Sequence, residues 1–115
     1  MNEVEKLVLF IQETKLESWN NKPLILEELL QNECFVSKHL GNYEGCLLVK
    51  EISPNIFECN FLAARNLKAL VEVAKLFRLK YPKGFVKVAR RKGKQVLYKK
   101  SIVDKILSRY VKKSI

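Results

Sequence analysis

Apolar residues first recur at helical spacing. Val4, Leu7, Val8 and Ile11 fall on one face, and Asn2 followed by Glu5 reads as an N-cap with its reciprocal partner. Together they predict a helix over residues 3–17. Asn20-Asn21-Lys22-Pro23 interrupts the pattern, and proline suits the first turn of a second helix, about 23–32, that buries Leu26, Leu29 and Leu30. Beyond Glu33 the period shortens. Residues 34–39 read as a strand, Gly41-Asn42 and Gly45 mark a turn, and 46–52 read as a second strand. Ser53-Pro54-Asn55 is a turn signal because proline presets φ and its neighbours hydrogen-bond locally. Residues 56–63 then form a third strand with Phe57, Cys59 and Phe61 on one face.

Asn66 caps a helix to about Leu79, with Leu67, Leu70, Val71, Ala74 and Phe77 as its apolar stripe and Lys68, Lys75 and Arg78 on another face. Tyr81-Pro82-Lys83-Gly84 ends it. A second hairpin is expected over 85–99, turning through Arg91-Lys92-Gly93-Lys94. Ser101 with Asp104 forms a capping box for a last helix, with Ile102, Val103, Ile106, Leu107, Tyr110 and Val111 inward and Lys105, Arg109, Lys112 and Lys113 outward. The order α-α-β-β-β-α-β-β-α predicts an α+β fold, a mainly antiparallel sheet of about five strands with helices packed on it.

A chain of 115 residues is one domain, 1–115, and its 48% apolar and 30% charged composition is globular. No apolar run reaches a membrane-spanning length, and Leu7–Ile11 follows Glu3, Glu5 and Lys6 without a cleavage site, so a cytoplasmic protein without a signal peptide is expected. Three cysteines (Cys34, Cys46, Cys59) with no C-x-x-C pair suggest neither a disulfide framework nor a zinc site; buried reduced thiols are expected, and no metal.

Charge changes the picture most. The net charge is +10, but residues 1–64 hold five Lys/Arg against ten Asp/Glu, and residues 65–115 hold seventeen against Glu72 and Asp104 alone. That imbalance points to an anionic partner. The expected nucleic-acid-binding residues are Lys83, Lys87, Arg90, Arg91, Lys92, Lys94, Lys99, Lys100, Lys105, Arg109 and Lys112, making phosphate contacts that position without reading sequence. An acidic protein is a second partner class, and head-to-tail self-association through the acidic first half is a third. A membrane is not expected, because the last helix needs its apolar face for the core.

Chemistry has little to use. His39 is the only histidine. Glu51 and Glu58 would face each other across the Ser53-Pro54-Asn55 turn as paired carboxylates, yet no D-x-D or H-E-x-x-H pattern accompanies them. Gly41, Gly45, Gly84 and Gly93 are not spaced as a phosphate-binding loop. No catalytic residue and no cofactor are assigned.

Residues 44–50, then 56–61, then the helix after Asn66 resemble a reduced GNAT acetyltransferase fold, small versions of which occur in phage genomes. The resemblance covers about residues 24–90. It implies acetyl-CoA as cofactor, its pyrophosphate held by an R/Q-x-x-G-x-G/A loop that would fall on residues 65–70. Arg65 fits the first position. Lys68 stands where the first glycine belongs, and Leu70 where a small residue belongs.

Overall fold

The computed structural model describes residues 2–14, 19–89, 95–96 and 101–111. Its elements are α1 (Glu3–Glu13), α2 (Lys22–Gln31), β1 (Glu33–His39), β2 (Asn42–Ser53), β3 (Ile56–Ala64), α3 (Leu67–Lys80), β4 (Phe85–Ala89), β5 (Gln95–Val96) and α4 (Ile102–Tyr110). The predicted element order holds. Residues 15–17, given to the first helix by its periodicity, lie outside the described residues.

Each helix starts on a side chain suited to satisfying an orphan N–H. Asn2, Asn21, Asn66 and Ser101 accept from the backbone N–H three residues on, at 2.8, 3.2, 2.8 and 3.2 Å. Caps of this kind contribute about 1 kcal/mol each.

The strands form one sheet in the order β1-β2-β3-β4-β5. β1–β2, β2–β3 and β4–β5 pair antiparallel, and β3–β4 pairs parallel, so the sheet is mixed. The parallel pair departs from the antiparallel expectation. Hairpins explain consecutive strands, but α3 lies between β3 and β4 and returns the chain to the same end of the sheet, which makes their directions equal.

Helices cover both faces. α3 and α4 pack on one, where Val73, Ala74, Phe77, Val103 and Ile106 meet Phe35, Leu47, Val49, Phe57, Cys59 and Val86. α1 and α2 pack on the other, where Leu7, Val8, Phe10, Ile11 and Ile25 meet Tyr43, Cys46, Leu48 and Phe61. Double coverage explains the unbroken apolar run 46–49, which a sheet with one wet face would interrupt with polar residues.

Irregularities in the strands correct the one-face reading of β3. Leu48 pairs with Phe61, but Val49 pairs with Cys59, leaving Asn60 unmatched. This bulge reverses the alternation, so Phe57 and Cys59 face α3 while Phe61 faces α1. A second slip, between Ser37 and Lys38 on β1, skips Glu44 and turns Tyr43 toward α1. The β1–β2 turn has positive φ at both central residues, Leu40 (51°) and Gly41 (80°), the requirement of a type I′ hairpin.

Three helix faces are also revised. On α2 the buried residue is Ile25, Leu26 and Leu29 are half-buried, and Leu30 is 89% exposed. On α3 the inward row is Ala69, Val73, Ala74 and Phe77, while Leu67 is exposed. Tyr110, expected in the core, is exposed beneath the Arg109 guanidinium, 5.4 Å from its ring centroid.

Candidate functional site

Charge is sorted by layer. α1 and α2 carry five glutamates (Glu3, Glu5, Glu13, Glu27 and Glu28) against Lys6 and Lys22. α3 and α4, on the other face, carry six Lys/Arg against Glu72 and Asp104. Among the helices of the described residues, the division found between halves of the sequence is thus also a division between faces of the sheet.

Within the basic layer the cations differ in role. Arg78 is a structural tie: its Nη1 donates to the carbonyls of Tyr81, Pro82 and Gly84 at 3.0, 3.0 and 2.9 Å. Its Nη2 donates to Asp104 Oδ1 at 2.6 Å and to Ser101 Oγ at 3.4 Å. One guanidinium therefore joins the end of α3, the turn into β4 and the cap of α4. Lys80 is ion-paired with Glu33, which holds its ammonium above the usual lysine range. Glu33 also accepts from the Tyr81 hydroxyl. Lys68 and Lys75 are exposed on α3 without an ion pair among the described residues.

The sequence-predicted binding residues divide accordingly. Lys83 is exposed in the turn before β4, and Lys105 and Arg109 are exposed on α4. Lys87 is a correction. It is 8% exposed, and because Val86 and Val88 pack toward α3, alternation directs Lys87 to the opposite face of the sheet, in register with Glu58. Burial takes it out of any cationic footprint. Arg90, Arg91, Lys92, Lys94, Lys99, Lys100 and Lys112 lie outside the described residues.

Around the start of α3 the backbone approaches β2 closely. A Cβ on Gly45 would stand 3.3 Å from both the Cβ and the carbonyl oxygen of Ala69. Beside this contact is a cavity of about 460 Å³ lined by Ser37, Lys38, His39, Glu44, Lys68 and Glu72, with Asn66, Leu67 and Ala69. This is where the loop of the acetyltransferase resemblance falls, and its residues do not fit a pyrophosphate. Lys68 puts a side chain in the first turn where close backbone approach is needed. Glu44 and Glu72 add carboxylates to the wall. Arg65 is held by Glu13 and lies over the Phe10 ring, 5.5 Å from its centroid.

The expected carboxylate pair does not form. Glu51 is opposite Phe57, and Glu58 is opposite Lys50, because the register slips between Glu51 and Ser53 before the two-residue turn Pro54-Asn55. His39, exposed at the end of β1, lines the cavity. Among the described residues no group of three His, Cys, Asp or Glu side chains is placed to hold a metal ion. Cys46 and Cys59 are buried and Cys34 is half-buried. Cys34 and Cys46 meet at 3.8 Å between sulfurs, a contact that lowers the Cys34 thiol pKa and raises that of Cys46. Among the described residues no helix is long and apolar enough to cross a membrane.

No protein-family model matches the chain, and neither a curated protein nor a solved structure matches it.

Proposed function

We propose that the protein binds a polyanion, nucleic acid foremost, without chemistry of its own. The observation that carries this reading is the charge sorting: the basic helices share one face, while the glutamate-rich helices cover the other. Charges interleaved on one surface would cancel within a Debye length of about 8–10 Å at physiological salt; charges kept apart by the sheet do not. Lys68, Lys75, Lys83, Lys105 and Arg109 supply phosphate contacts, joined by the basic residues between 90 and 100 and by Lys112. These contacts release condensed counterions and give affinity with little sequence preference.

Fluorescence anisotropy with a labelled DNA duplex and a labelled single-stranded RNA, repeated over a salt series, tests the reading. Binding is expected to weaken linearly in log–log form with salt. Replacing Arg90, Arg91, Lys92 and Lys94 together by alanine is expected to reduce the slope on duplex DNA by up to about 0.9 for each phosphate that the variant no longer neutralises. Binding of neither probe at low salt, or binding indifferent to salt, overturns it. Calorimetry with acetyl-CoA tests the acyltransferase alternative: heat that disappears in Arg65→Ala would favour it. Salt-labile capture of an acidic protein, with no oligonucleotide binding, would favour the adaptor alternative.

A further inference from the structure

α2 and α3 lie on opposite faces of the sheet, and each leaves a row of side chains to solvent that combines leucines with charge, net negative on α2 and net positive on α3. On α2 the row holds Leu24, Glu27 and Leu30, with the two leucines 53% and 89% exposed. On α3 it holds Lys68, Lys75, Leu76 and Leu79, the last 81% exposed, with half-buried Glu72 among them, so two cations stand against one carboxylate. Glu27 and Leu30 are three residues apart and Lys75 and Leu79 four apart, so each pair occupies adjacent turns of one helix face. Glu27 accepts only from Gln31 of its own helix, at 3.4 Å, and neither Glu27 nor Lys75 has an ion pair among the described residues. Isolated exposed leucines are ordinary; leucines beside opposite charges on two outward helix faces are a complementary pair.

We propose that the α2 face of one copy of this chain docks on the α3 face of another, with Leu30 against Leu79 and Glu27 opposite Lys75. Charge complementarity selects the occupant. The α3 face repels another α3 face, and the α2 face repels another α2 face, so the contact is head to tail. Such an interface is heterologous: every added copy leaves one free α2 face and one free α3 face, so assembly continues beyond a dimer, as an open chain or until a ring closes. A single helix-on-helix contact is at the small, transient end of protein interfaces, so association is weak and depends on concentration. The same Lys75 belongs to the proposed polyanion surface, which makes the two events compete. The docking itself needs no polyanion.

Sedimentation velocity without nucleic acid tests it, using the wild type and two variants. Glu27→Ser with Leu30→Ser removes the α2 face. Lys75→Ser with Leu79→Ser removes the α3 face. All four positions are exposed, and circular dichroism checks that each variant keeps its helices. The expected result is a wild-type mass that rises with concentration at about 0.1 M salt and returns to monomer near 1 M, where the Debye length falls to about 3 Å. Each variant alone stays monomeric, and an equimolar mixture forms a dimer and nothing larger, because one complementary pair of faces remains. A wild type that is monomeric at every concentration at low salt overturns the proposal. So does a wild type that assembles while either variant assembles equally well.

Discussion

Replacing Arg78 by alanine removes five hydrogen bonds at once. Three go to the carbonyls of Tyr81, Pro82 and Gly84, and two go to Asp104 and Ser101 at the head of α4. Hydrogen bonds with a charged partner contribute about 1.5–3 kcal/mol each when fully enclosed. Here the Arg78 side chain retains 23% of its exposure and Asp104 retains 46%, so water replaces part of the loss. Pro82 is itself exposed, and its carbonyl is partly recovered by solvent. Discounting accordingly, the substitution costs about 3 kcal/mol. A chain of 115 residues unfolds with an entropy of about 0.24 kcal/mol/K, so the midpoint falls by about 12 °C.

Thermal unfolding followed by circular dichroism, with urea titration beside it, measures this. Arg78→Lys is expected to lose most of the same stability, because an ammonium cannot reproduce a planar fork reaching five acceptors. Lys75→Ala, an exposed cation one turn away, is expected to change stability by less than about 0.5 kcal/mol. A loss below that value in Arg78→Ala would refute the idea that this arginine ties α3, the turn and α4 together. It would also return Arg78 to the pool of surface cations.

Leu40 holds a positive φ of 51° while 86% of it is exposed, so nothing offsets the strain of its backbone. Leu40→Asn is expected to stabilise the fold by about 0.5–1 kcal/mol, read as a higher urea midpoint; a lower midpoint would assign the leucine a packing role. Tyr43 donates to Glu3 at 3.0 Å, and burial first, then this bond, pushes its hydroxyl up to about 12. A folded pKa above the unfolded one gives stability that is complete below the ordinary tyrosine range and lost as pH rises through about 12. Tyrosinate absorbance compared with Tyr43→Phe should show this late titration, and Glu3→Gln should bring it forward only in part because burial is the larger cause. A Tyr43 that titrates in the ordinary range contradicts the enclosed geometry.

The sequence reveals most where the physical cause is short-range. Asn2, Asn66 and Ser101 cap helices because an oxygen three residues from an N–H is a local fact. Asn21 caps α2 in the same way, although Pro23 is the more conspicuous signal there. The errors have tertiary causes. The bulge at Asn60 reverses the faces of β3 without changing its composition, and a period of two carried across it places Phe61 on the wrong side. Leu30 and Tyr110 look like core residues by spacing, but α2 and α4 are only 10 and 9 residues long and each buries a narrow stripe. Lys87 reads as one more cation of a basic hairpin until alternation in β4 turns it inward.

Arg78 shows the same limit in chemical terms. Its acceptors lie three, four, six, twenty-three and twenty-six residues away, and the distant two are what convert a surface charge into a brace. The charge asymmetry, by contrast, survives folding because chain order and layer order coincide. α1 and α2 precede the three-strand meander and occupy one face; α3 and α4 follow it and occupy the other. For the described helices, a division made after Ala64 in the sequence therefore tracks the division that the sheet makes in space, while Arg65, paired with Glu13, and Lys87 fall on the acidic side. Had either terminal helix crossed to the other face, glutamates and lysines would have shared a surface and neutralised one another. The basic face owes its net charge to the path of the backbone as much as to the number of its cations.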